Sequence, residues 1–268
     1  MTGAPPPLPL HLKGAGLNRG GKQVLKDITA SFDATPEKTV IIGPNGAGKS
    51  LLLQTCHGLI PPDAGSVEWS GPHDEDALSR SQSMVFQRPV LFRRSAVANV
   101  VLALKIAGFP KSEWQNRADD ILYRTGLSRH AVTPARAMSF GEQQRLALAR
   151  ALVIEPSVLF LDEPTASLDP AAAHLVESLI EESALAGMKI IMTSHDLNQT
   201  RRLADEIIFM HRGRIKERAP VDQFFSRPEN DLAQAFINGE LLWWRRRSIF
   251  DGSPIAGYED IRTDETTP

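Results

Sequence analysis

The stretch "TVIIGPNGAGKS", Thr39 to Ser50, decides the fold. Its first residues are apolar and β-branched, the composition of a buried strand. Its last residues open a helical pattern expected over 48–59. Between strand and helix run Gly43, Pro44, Asn45, Gly46, Ala47 and Gly48, followed by Lys49 and Ser50, the context that a phosphate-binding loop requires. The three glycines let the backbone turn tightly and point successive N–H groups inward at phosphate oxygens. Lys49 then reaches the β- and γ-phosphates of a nucleoside triphosphate, and the Ser50 hydroxyl ligates Mg²⁺. A glycine-rich turn without a ligand is the competing explanation, and all four elements in their proper flanks weigh against it.

Outward from this loop, apolar runs alternate with helical patterns. "SVLFLD" (157–162) precedes a helix expected over 170–186, and "KIIMTS" (189–194) precedes one over 196–204. Strands that are apolar throughout and separated by helices indicate a parallel sheet covered on both faces. "VLKDITASFDA" and "GSVEWSG" look antiparallel instead. From about Arg88 to Ala137 strand signals stop. "SAVANVVLALKIAG" and "SEWQNRADDILYRTGL" read as two helices, the second with Ser112 and Gln115 in capping-box spacing. The expected class is therefore α/β: a P-loop NTPase (RecA-like) core with an antiparallel β-subdomain and an inserted α-helical subdomain. The expected domain covers 10–242, with the helical part at about 88–138. A short tail, 243–268, begins "WWRRR" and reads as solvated, with contact to anionic lipid as its alternative.

The second half of a triphosphate site should be an acidic strand end that meets the metal. "VLFLDEP" supplies it: Asp162 for the Mg²⁺ shell and Glu163 to orient or deprotonate the attacking water. "MSFGEQQRLALARAL" (138–152) adds a capping box, Ser139 to Glu142, at the start of an apolar-striped helix. A helix start carries free N–H groups and partial positive charge, so the same residues suit an anion.

Bulk properties exclude several classes. Lys and Arg number 30 against 32 Asp and Glu, which gives no drive toward nucleic acid. Cys56 is the single cysteine, so no internal disulfide forms; it reads as a small buried apolar side chain. No apolar run approaches the roughly 18 residues of a membrane span. "MTGAPPPLPLHL" lacks the basic start of a signal peptide and reads as a flexible Pro-rich lead-in.

Gln87 in "MVFQRP", the 138–152 stretch, "DEPTASLD" and "TSHD" stand in that order around the two phosphate motifs. With these six fragments the chain resembles the ATP-binding cassette ATPases from about Leu10 to Leu242. Finer texture, such as "GKSLLLQTCHGLIPP" and "FINGELLW", looks like the ATPase subunits of importers for tungstate and related oxyanions, or phosphate. The resemblance implies that two copies face each other head to tail and sandwich two ATP molecules with Mg²⁺. Ser139 and Gly141 would donate to the γ-phosphate held by the partner copy, and Glu142 would lie near the ribose. Gln87 would sense Mg²⁺ and the attacking water, His195 would contact the γ-phosphate, and Asp169, an N-cap before Pro170, would touch the partner. Further implied partners are integral permease subunits and, indirectly, a solute-binding protein, placing the chain peripherally on the cytoplasmic face of the membrane.

Three departures follow from the same comparison. Phe140 replaces a glycine, where a side chain restricts φ or crowds the nucleotide. Leu51 stands where relatives carry a threonine that bonds the α-phosphate, so that bond is absent. The adenine-stacking aromatic is missing, and Arg19 falls near its position, with a guanidinium able to stack. Rival classes are a soluble non-transport cassette ATPase, an exporter cassette, and a cassette that binds ATP only as a scaffold.

Overall fold

In the computed structural model the described residues are 7–35, 37–71, 75–166 and 168–240. The chain opens with β1 (Leu10–Arg19), β2 (Lys22–Phe32) and β3 (Lys38–Ile42), then α1 (Lys49–His57), β4 (Ala64–Trp69), α2 (Glu75–Ser81) and β5 (Gln82–Val85). Helices α3 (Ala96–Ile106), α4 (Trp114–Arg124) and α5 (Phe140–Leu152) follow. Next come β6 (Val158–Asp162), α6 (Pro170–Leu185), β7 (Lys189–Thr193) and α7 (Leu197–Leu203). A hairpin of β8 (Glu206–His211) and β9 (Arg214–Pro220) leads to α8 (Val221–Ser226) and α9 (Asp231–Ile237).

Six strands form the central sheet in the order β5-β6-β7-β3-β8-β9, parallel except where β9 pairs antiparallel with β8. A second, three-stranded sheet has the order β2-β1-β4 and is antiparallel. Both sheet types agree with the expected α/β class. Side chains alternate across a strand, and here that alternation divides two cores. Val40, Ile42, Leu159, Leu161, Ile190, Met192, Ile207 and Phe209 face the helices α3–α6, α8 and α9. Their neighbours Ile41, Val158, Phe160, Ile191, Ile208 and Met210 face α1 and the smaller sheet. Because both faces are covered, the strands read as unbroken apolar runs. Every residue of β6 and of β7 is buried.

Some sequence expectations need correction. Residues from Pro7 onward are built into the fold, not a loose lead-in: the Gly71 and Ser70 N–H groups donate to the carbonyls of Pro7 and Pro9 at 2.8 and 2.9 Å, and Leu10 and Leu12 are buried. The Ser112 capping box does not form. A 3₁₀ turn occupies Lys111–Glu113, α4 starts at Trp114 without a side-chain cap, and Gln115 donates to Asp119 instead. Ser95, the N-cap of α3, and Pro134, ahead of α5, form an isolated antiparallel bridge. Cys56 is buried, and burial pushes its thiol pKa up. No described helix is long and apolar enough to cross a membrane. The 243–268 stretch lies outside the described residues.

Candidate active site

Four neighbouring strands end on one edge of the sheet, and each delivers one group. After β3 come Gly43 and the glycine-rich turn, β6 ends in Asp162 and Glu163, Ser194 and His195 follow β7, and Gln87 follows β5. The carboxyl edge of an open α/β sheet is where such folds place ligands. Here it borders a cleft of about 730 Å³, lined by residues 45–51 together with Val24, Gln87, Glu163, Ala166 and His195.

The turn itself is forced by close packing. Gly43 has φ 147° and its Cα lies against the Met210 carbonyl, where a Cβ would sit 2.1 Å from that oxygen. Gly48 caps α1 at φ 102° without any side-chain bond, leaving the first helical N–H groups directed at the cleft. Lys49, only 6% exposed, donates to the carbonyls of Gly43 and Pro44 at 2.9 and 3.5 Å. Burial pulls its pKa below the ordinary lysine value, against the attraction of Glu163 and Asp162.

Ser50 Oγ donates to Asp162 Oδ1 at 2.8 Å. This pair of hard oxygens fits Mg²⁺, which keeps water and phosphate in its other positions; Gln87 stands close by, its Nε2 donating to Glu163 Oε2 at 3.0 Å. His195 Nδ1 lies 3.1 Å from the same Glu163 oxygen. Glu163 has φ 47°, a left-handed value for a non-glycine residue. Its side chain is 13% exposed. Lys49, Ser50, Gln87, Asp162, Glu163 and His195 thus converge on one place.

Several positioning groups escaped the sequence reading. Thr193 Oγ1 donates to Asp162 Oδ1 at 2.7 Å and accepts from the Glu163 N–H at 2.9 Å. Gln144 and Arg150, both on α5, donate to the carbonyls of Phe86 and Val90 and so grip the segment on either side of Gln87. Gln199 ties together the loops after β6 and β7. Thr193, Gln144 and Arg150 lay inside recognised fragments, but the Phe86 and Val90 carbonyls that Gln144 and Arg150 hold, like the Thr165 that Gln199 reaches, are distant in sequence and leave no local signal.

A family model described as ABC transporter matches residues 25–166. The chain belongs to the ABC transporter family. The methionine import ATP-binding protein MetN of Brucella abortus (strain 2308) is 39% identical over 206 residues, 74% of this chain and 56% of MetN, so the chain spans little more than half of that relative. The tungstate uptake system ATP-binding protein TupC of Peptoclostridium acidaminophilum is also 39% identical, over 77% of this chain and 94% of its own length. The glutamate/aspartate import ATP-binding protein GltL of Escherichia coli (strain K12) is 37% identical over 85% of this chain and 98% of its own. Among solved structures, the dimeric ATP-binding cassette MJ0796 in a post-hydrolysis state bound to ADP and Pi superposes with a TM-score of 0.71 at 27% identity, over 79% of this chain and 98% of that one.

Other residues singled out in this ABC chain lie elsewhere. Ser139, Gly141 and Glu142 are not among the residues lining the cleft. They start α5 with a complete capping box: the Glu142 N–H donates to Ser139 Oγ at 3.3 Å, and Glu142 Oε2 accepts from the Ser139 N–H at 2.7 Å. These bonds, with His130 and Arg145 nearby, hold the Glu142 carboxyl below its ordinary pKa. Phe140 is the first residue of the helix and has no left-handed backbone, so the expected φ restriction is absent; the residue is 41% exposed. Leu51 lines the cleft, while Arg19 does not. The Arg19 guanidinium is drawn to the Asn18 carbonyl at 2.9 Å, at the turn joining β1 and β2. Val24 is the residue of that hairpin on the cleft wall. Asp169 caps α6, accepting from the Ala172 N–H at 2.9 Å.

Proposed function

We propose that this chain is the ATP-hydrolysing, energy-coupling subunit of an ABC importer. One observation carries the proposal: Glu163 Oε2 receives Gln87 and His195 at 3.0 and 3.1 Å, beside a loop whose Lys49 and Ser50 are already in place. ATP lies along residues 43–51 with its phosphates on the N-terminus of α1 and on Lys49. When bound, Mg²⁺ supplies charge neutralisation at the phosphates; Ser50, Asp162 and Gln87 would hold it. Glu163 orients the attacking water and takes up its proton, and His195 supports the water and contacts the γ-phosphate.

One nucleotide-binding domain, 10–242, holds two half-sites. A second copy completes each through the N-terminus of α5, with Ser139 and Gly141 donating to the γ-phosphate and Glu142 near the ribose. ATP draws the copies together, hydrolysis releases them, and the helices of 88–138 pass this motion to integral permease subunits, with the chain peripheral on the cytoplasmic face of the membrane. Tungstate or a related oxyanion is the solute class we propose, on the sequence texture and the match to TupC along 94% of its length. Relatives named for methionine and for glutamate and aspartate stand at similar identity, so the solute is tested separately.

The test uses the purified chain. Glu163→Gln is expected to lower turnover by at least about 100-fold, keep ATP binding, and trap an ATP-dependent dimer visible by light scattering. Lys49→Ala is expected to lose nucleotide binding. Unimpaired hydrolysis in the first variant, or failure of ATP ever to pair it, overturns the proposal. Which solute stimulates hydrolysis in the complex co-purified from membranes decides the substrate.

A further inference from the structure

Glu163 and His195 meet across 3.1 Å, yet they stand on separate loops, one after β6 and one after β7. Their spacing therefore needs a spacer. Gln199, on the first turn of α7 and 4% exposed, sits behind both. Its Oε1 accepts from Ser194 Oγ at 2.9 Å, the residue before His195. Its Nε2 donates to Thr165 Oγ1 at 2.6 Å, two residues after Glu163, and to Glu177 Oε1 at 3.1 Å. Glu177 is itself held by Arg202 at 2.9 Å. A carboxylate only accepts, so Glu177 fixes which end of the amide faces it and turns the carbonyl to Ser194.

We propose that Gln199 is a positioning residue for hydrolysis, setting the distance between the Glu163 loop and the His195 loop. The inference rests on the hydrolytic role proposed above. A small cavity of about 110 Å³ between the loops is lined by Glu163, Thr165, Ser194, His195 and Gln199, among others. Among the described residues, the Gln199 amide is the bridge that joins Thr165 to Ser194 across that cavity. Asp196 N–H already takes Ser194 Oγ at 3.1 Å, so the serine would turn toward its own loop. A shift of about 1 Å between groups that share one water costs on the order of 100-fold in rate.

Gln199→Met keeps the side-chain length and removes both polar atoms. It is expected to lower kcat about 10- to 100-fold while half-saturating ATP and nucleotide affinity stay within about twofold, since the 43–51 loop is untouched. Thr165→Val cuts the other end of the bridge and should do the same, and Thr165→Ser, which retains the hydroxyl, should restore most of that loss. Hydrogen exchange without nucleotide gives a reading independent of turnover. The amides of Ala166 and Leu168, bonded to the carbonyls of Glu163 and Thr165, should exchange faster in Gln199→Met. Unchanged exchange, a kcat within about twofold of wild type, or kcat and ATP affinity falling together with the melting temperature overturns the proposal. If wild type hydrolyses no ATP, the functional assignment falls, and exchange still decides whether Gln199 holds the two loops.

Discussion

At Glu163 the backbone turns into the left-handed region, φ 47°, one residue beyond a fully buried strand. For an L residue that conformation costs on the order of 1 kcal/mol, and it persists because the neighbours hold it. Thr193 is the chief of these: it pairs with Asp162 in the parallel ladder, and its hydroxyl serves both Asp162 and the Glu163 amide. Thr193→Val preserves shape and removes that hydroxyl. We expect a loss of about 1–3 kcal/mol in unfolding free energy, read from denaturant midpoints, and a higher Mg²⁺ concentration for half-maximal hydrolysis. Residue identities at this edge were legible because "GPNGAGKS" and "VLFLDEP" each lie within one short segment. The left-handed turn was not, since it follows from contacts made across two strands.

Among the elements, α5 and α4 show where capping patterns inform and where they mislead. Both carry Ser and a Glu or Gln three residues later. At α5 the box closes within four residues and needs nothing beyond itself. At α4 the 3₁₀ turn at Lys111–Glu113 consumes the serine, and Trp114, whose indole N–H donates to the Phe109 carbonyl at 2.8 Å, fixes the true start. Ser139→Ala should therefore cost about 1 kcal/mol of stability and weaken ATP-driven pairing. Ser112→Ala should change stability by less than about 0.5 kcal/mol. Thermal and denaturant unfolding of the two variants side by side checks the contrast.

At the scale of the whole molecule, alternation along the strands builds two cores on one sheet, and the sequence showed the apolar runs without their order. The order β5-β6-β7-β3-β8-β9 depends on pairings as distant as Thr39 with Glu206. One charge is caught in this arrangement. Lys189 enters β7 at 2% exposure, and burial lowers its pKa to about 8, against the pull of Glu206, Asp205 and Asp33. The unfolded chain keeps that proton up to the ordinary value of 10.5, so the folded state binds fewer protons between the two values. Stability should therefore rise with pH from about 8 to 10, and below that window the full penalty remains. Denaturant midpoints of wild type and Lys189→Met at about pH 7 and pH 9.5 should converge as pH rises. The start of α5 carries a last consequence. There the Ser139 hydroxyl donates a hydrogen bond to Glu142 Oε2 at 2.8 Å, so in a solitary copy the donor that a neighbour's phosphate would claim is already engaged. In the proposed sandwich an incoming γ-phosphate would have to displace a carboxylate, and on its departure that carboxylate would accept the hydrogen bond again, which would favour letting go over lingering.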